Sequence, residues 1–124
     1  MAHRALIVDD ERDARLLWAT VAKEEGLEVV EAEDGREALD HLRRDPPFDL
    51  VVLDVMMPFV DGYEVVKQMR EDERLRAVPV IISTANRTTQ DLSEVPLDGL
   101  THFVNKSSGL ENMRRGIARA LGGR

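Results

Sequence analysis

Five short apolar runs, each breaking off at a polar or acidic residue and alternating with segments of helical period, constrain this chain more than any other feature. Ala5-Leu6-Ile7-Val8 stops abruptly at Asp9-Asp10-Glu11, and Leu50-Val51-Val52-Leu53 runs straight into Asp54. Leu27 to Glu33 carries Leu27, Val29, Val30 and Ala32 among glutamates, Val78 to Ile82 leads into Ser83-Thr84-Ala85, and His102-Phe103-Val104 comes shortly before Lys106. Runs apolar on both faces are the mark of central strands in a parallel sheet. Between them the period changes. Ala14, Leu17, Trp18, Val21 and Ala22 make one helix face, with Gly26 placed to stop it. Ala38, Leu39 and Leu42 follow the Asp34-Gly35 turn and precede Pro46-Pro47, and Val65, Val66 and Met69 follow Asp61-Gly62. Leu110, Met113, Ile117 and Leu121 form the last stripe, before Gly122-Gly123. Thr88 to Val95 reads as a polar helix that Pro96 cuts short.

Strand and helix alternating through short loops predict an α/β fold, a doubly wound five-stranded sheet that is mostly or wholly parallel and covered on both faces. Right-handed crossovers favour the strand order 2-1-3-4-5 of flavodoxin-like folds. With 124 residues, the chain is expected to be a single domain over 1–124. There is no cysteine, so disulfides and thiolate chemistry are excluded, and a reducing compartment fits. A formal charge of −7, from 17 basic and 24 acidic residues, opposes binding to nucleic acid or an anionic membrane. Apolar runs of about five residues fall far short of the roughly 20 that span a bilayer. No signal-peptide pattern precedes the first strand, so the expected location is cytoplasmic.

In an open α/β sheet, ligands bind beyond the carboxyl ends of the strands where the strand order reverses, here between strands one and three. Asp9 and Asp10 end the first, Asp54 the third, Thr84 the fourth and Lys106 the fifth, so topology alone brings all five to one crevice. Converging carboxylates repel one another unless a cation intervenes. An oxygen-only ligand set selects a hard ion, and Mg²⁺ suits best because it keeps coordination sites for a phosphate-bearing ligand. A carboxylate can attack phosphorus to give an aspartyl-phosphate, whose oxygens a metal, an ammonium and a hydroxyl would then hold.

Taken in order, Val8-Asp9-Asp10-Glu11, Val52-Leu53-Asp54-Val55-Met56-Met57-Pro58, Asp61-Gly62-Tyr63-Glu64, Ser83-Thr84-Ala85 and Lys106 resemble the response-regulator receiver domain of two-component signalling, over essentially the whole chain. The resemblance implies that Asp54 is the phosphoacceptor and that Mg²⁺ is bound by Asp10 and Asp54, by Asp9 through a water, and by the Met56 carbonyl. It further implies that Thr84 and Lys106 hold phosphoryl oxygens and that Phe103 is the switch aromatic. The implied partners are a sensor histidine kinase or phosphotransfer protein upstream and a protein target downstream. The output surface, through which two copies would also pair, is formed by the Arg87–Pro96 helix, strand five and the last helix. Such a module catalyses only its own phosphorylation and slow autodephosphorylation, whose rate depends on Met56 and Asn86. With no output segment after the last helix, a stand-alone or excised receiver is expected.

Two departures stand out. The family usually has a cis-proline after the lysine; here it is Ser107, where a cis bond would cost about 2.5–4 kcal/mol. The Arg87–Pro96 segment lacks the usual alanine-rich helix, and an interior proline costs about 3 kcal/mol. An aspartyl-phosphate phosphatase would carry a second aspartate two residues after the nucleophile, where this chain has Met56. A flavodoxin-like cofactor binder would need a Gly- or Ser/Thr-rich phosphate loop after strand one. A phosphorylation-independent pseudo-receiver is the remaining rival, and the complete acidic set argues against it. Trp18 and Met57 read as packing, the scattered His3, His41 and His102 as no metal site, and Arg43-Arg44 and Arg114-Arg115 as solvated helix faces.

Overall fold

All five apolar runs form strands in the computed structural model, which describes residues 3–55, 57–84, 99–105 and 109–122. The strands are β1 (His3–Val8), β2 (Leu27–Ala32), β3 (Leu50–Asp54), β4 (Val80–Thr84) and β5 (Thr101–Asn105). They form one sheet in the order β2-β1-β3-β4-β5, and every neighbouring pair is parallel. The helices are α1 (Arg12–Glu24), α2 (Gly35–Arg44), α3 (Gly62–Glu71) and α4 (Leu110–Leu121). The expected fold class and strand order are the ones observed. The Arg87–Pro96 helix lies outside the described residues, as do Met56, Lys106 and Ser107.

Strand alternation divides the core in two. Leu6, Val8, Val51, Leu53, Val80 and Ile82 face α2 and α3, packing with Ala38, Leu42, Val65, Val66 and Met69. Ala5, Ile7, Leu50, Val52 and Ile81 face α1 and α4, packing with Trp18, Val21, Ala22, Met113 and Ile117. Burial on both faces is why the central strands are continuously apolar. Asp34 and Asp61 cap α2 and α3, accepting from the backbone N–H of Glu37 and Glu64 at 2.9 Å each, contacts typically worth about 1 kcal/mol. Glu25 caps the C-terminus of α1 and Gly26 follows with φ 87°, so Gly26 ends that helix as its position suggested. Among the described residues, no helix is long and apolar enough to cross a membrane.

The differences from expectation are local. β1 starts at His3 rather than Ala5, β2 ends at Ala32 rather than Glu33, and β5 extends to Thr101 and Asn105. β4 starts at Val80, not Val78. Pro79 has no N–H to give the ladder, and the Val78 N–H turns back to the Leu75 carbonyl at 3.1 Å. Leu17 was expected inward but is 43% exposed, because the buried stripe of α1 is rotated to take in Ala19 instead. Leu110 is likewise exposed, at the first position of α4.

Candidate functional site

β1 and β3 are neighbours, and Val8 pairs with Leu53, so the next residues, Asp9 just past β1 and Asp54 at the end of β3, stand side by side. Both carboxylates follow residues of the α2/α3 face and therefore lie on the α1/α4 face. Asp9 is 1% exposed and Asp54 5% exposed, whereas Asp10 is open to solvent. One carboxylate oxygen from each of Asp9, Asp10 and Asp54 lies within 4.8 Å of the other two. The three acids expected to converge do converge. An oxygen-only cluster of this kind could hold a metal ion, and its donor set suits a hard one.

Local structure holds this edge in place. The Asp9 Oδ1 accepts from the Glu11 N–H at 2.9 Å, which folds the acidic loop back on itself before α1 begins. Arg15, one turn into α1, donates from Nη1 to the Asp9 carbonyl at 2.9 Å and from Nε to Glu31 Oε1 at 3.0 Å, with Glu33 at 3.9 Å. That guanidinium joins the end of β1 to the end of β2. On the other side of the site, the Gly62 N–H donates to the Val55 carbonyl at 3.1 Å. A Cβ on Gly62 would run into the Asp54 carbonyl oxygen, so α3 can start this close to the acceptor strand only with glycine there. The loop between them carries Phe59 at φ 70°, largely exposed, with the Arg36 guanidinium 3.6 Å from its ring centroid.

Asp54 pairs in register with Ser83, and Thr84 is the last residue of β4, opposite Asn105 of β5. The strand ends therefore fall on the edge that the sequence indicated. The contacts expected of the Thr84 hydroxyl, of Lys106 and of the Met56 carbonyl lie outside the described residues. Phe103 pairs with Ile82 and is half-buried against the α2/α3 core. Trp18 is buried as expected, but it also makes a polar contact that no spacing announced: its Nε1 donates to the Ser83 hydroxyl at 2.9 Å. Arg15 was also missed, because a lone arginine on an early helical turn reads as solvated. Gly62 belongs to the Asp61-Gly62-Tyr63-Glu64 motif, but its close approach to the Asp54 carbonyl was not readable from the sequence.

The sequence matches the response regulator receiver domain family over residues 5–118. The polar-differentiation response regulator DivK of Brucella ovis is 31% identical over 122 residues, covering 98% of this chain and 98% of that protein. The CAI-1 autoinducer sensor kinase/phosphatase CqsS of Vibrio cholerae is 32% identical over 116 residues, which are 93% of this chain but only 17% of that protein. Among solved structures, the chemotaxis protein CheY4 of Vibrio cholerae superposes with a TM-score of 0.88 at 28% identity, covering 97% of this chain and 99% of that one. With the sheet order, the acidic cluster and a family match over nearly its whole length, the chain belongs to the response regulator receiver family and is a phosphoacceptor signalling module of two-component systems.

Proposed function

We propose that residues 1–124 are one receiver domain in which Asp54 is the phosphoacceptor and Mg²⁺ is held by Asp9, Asp10, Asp54 and the Met56 carbonyl. The observation that carries this reading is the meeting of three carboxylates within 4.8 Å at the β1/β3 edge, with Asp54 almost fully buried. In the transfer, an Asp54 oxygen bonds to phosphorus as the P–N bond of a phosphohistidine breaks, and the departing imidazole takes up a proton. The bound ion would supply positive charge to the phosphoryl oxygens. Lys106 contributes an ammonium and Thr84 a hydroxyl donor to the same oxygens. Exclusion of water around Asp54 strengthens these interactions.

The chemistry of the module is limited to its own phosphorylation and slow autodephosphorylation, whose rate depends on Met56 and Asn86. Its partners are a sensor histidine kinase or phosphotransfer protein and a downstream protein target, in the cytoplasm. Binding of the target, or pairing of two copies, uses the surface of Arg87–Pro96, β5 and α4. Phe103 is the switch: phosphorylation draws Thr84 toward Asp54, and the half-buried ring fills the vacated space. Phosphorylation can bias this equilibrium only through its different interaction with the two states. Incubation with acetyl phosphate and Mg²⁺ tests the reading. Wild type should take up one phosphoryl group and Asp54→Asn none; equal labelling of the two would refute it.

A further inference from the structure

The hydrogen bond between Trp18 and Ser83 joins positions 65 residues apart, and both side chains are buried, at 2% and 0% exposure. Around it the core is aliphatic: Ala5, Ile7, Val52 and Ile81 lie on the same face of the sheet. Indole is a donor only, so Ser83 must be the acceptor. A buried polar group without a partner is costly, so the indole and the hydroxyl make sense at these positions only as a pair. Their placement is pointed. Ser83 lies directly across the ladder from Asp54 and immediately precedes Thr84. Trp18 comes from α1, the helix whose Arg15 holds the carbonyl of Asp9. Helix α1 is thereby tied both to the end of β1 and to the end of β4, the strands flanking the acceptor strand β3.

We infer that Trp18 is a positioning residue for phosphoryl transfer: through Ser83 its indole N–H fixes the end of β4, so that Thr84 meets the phosphoryl group on Asp54. This rests on the reading of Asp54 as acceptor and Thr84 as donor to the phosphoryl oxygens. The acidic cluster lies on β3 and the loop after β1, so loosening β4 should leave metal binding alone and slow the transfer. Misplacement of a catalytic group by about 1 Å can cost about a hundredfold in rate. Loss of one tether, with the strand still paired to β3 and β5, is expected to cost about five- to tenfold.

The test uses Trp18→Phe, which keeps an aromatic ring and deletes the donor, Ser83→Ala, which deletes the acceptor without touching α1, and the double variant. The readouts are Mg²⁺ affinity by calorimetry and the rate of phosphorylation by acetyl phosphate at saturating Mg²⁺. Each single variant should bind Mg²⁺ within about twofold of wild type and react about five- to tenfold more slowly. The double variant should be no slower than either single one, because the two act through one bond. Wild-type rates in either folded single variant overturn the proposal, and so do additive losses in the double variant. Rates that fall only in step with Mg²⁺ affinity would also overturn it, since that pattern belongs to a loosened core. Asp54→Asn is run alongside: label retained there overturns the assignment of the acceptor itself, whereas label lost there with Trp18→Phe at full speed overturns only the role of Trp18.

Discussion

Replacing Asp10 by asparagine should make the metal-free protein more stable. Its carboxylate lies within 4.8 Å of those of Asp9 and Asp54, so two repulsive pairs disappear with one charge. At 4.8 Å a pair of unit charges repels by about 0.9 kcal/mol in a water-like medium and about 3.5 kcal/mol at an effective dielectric near 20. Asp10 is exposed, which draws its interactions toward the lower figure, although its two neighbours are buried. The sum is a gain of about 1–3 kcal/mol at low ionic strength, shrinking as salt screens the exposed charge. Little opposes it, because the Asp10 side chain makes no hydrogen bond among the described residues. Mg²⁺ should reverse the ranking. An ion bound only to the folded state stabilises by about 1.4 kcal/mol at tenfold excess over its Kd, and the variant, having lost a ligand, should gain far less. Urea unfolding of both proteins in EDTA and then in millimolar Mg²⁺ measures the four free energies. If the variant is no more stable than wild type in EDTA, or if Mg²⁺ stabilises both equally, the repulsive cluster is not a metal site.

Two further perturbations probe the supports of the site. Gly62→Ala sets a methyl group against the backbone of Asp54 and Val55; overpacking of this kind costs about 1–3 kcal/mol, and thermal unfolding should show the loss together with slower phosphorylation. Arg15→Gln removes the donors to the Asp9 carbonyl and Glu31. It should weaken Mg²⁺ binding about two- to fivefold while costing about 1 kcal/mol or less in stability, consistent with a partly exposed ion pair; unchanged affinity by calorimetry would show that the arginine does not order the acidic loop.

The acidic cluster was legible in the sequence because its geometry is a consequence of topology. Once five apolar runs are read as parallel strands in the order 2-1-3-4-5, residues that follow strands one and three must meet at one edge, as Asp9 and Asp54 do. The helix stripes were legible to within one position. Leu17 failed because a hydrophobic period fixes a face only to about the width of one residue, and small Ala19 took the inward place. What supports the cluster was not legible. The Trp18–Ser83 bond depends on how far α1 sits from β4, and the Gly62 contact on how closely α3 approaches β3. Such distances are set by packing between elements remote in sequence, which no local pattern records.

The central claim is that phosphoryl transfer ends on Asp54. Treating the phosphorylated protein with borohydride reduces an aspartyl-phosphate to homoserine, and peptide mass mapping then locates the altered residue. The account predicts homoserine at position 54 and unmodified aspartate at Asp9, Asp10 and Asp61. Homoserine at any of those three positions, or none anywhere in protein shown to carry phosphate, would contradict it.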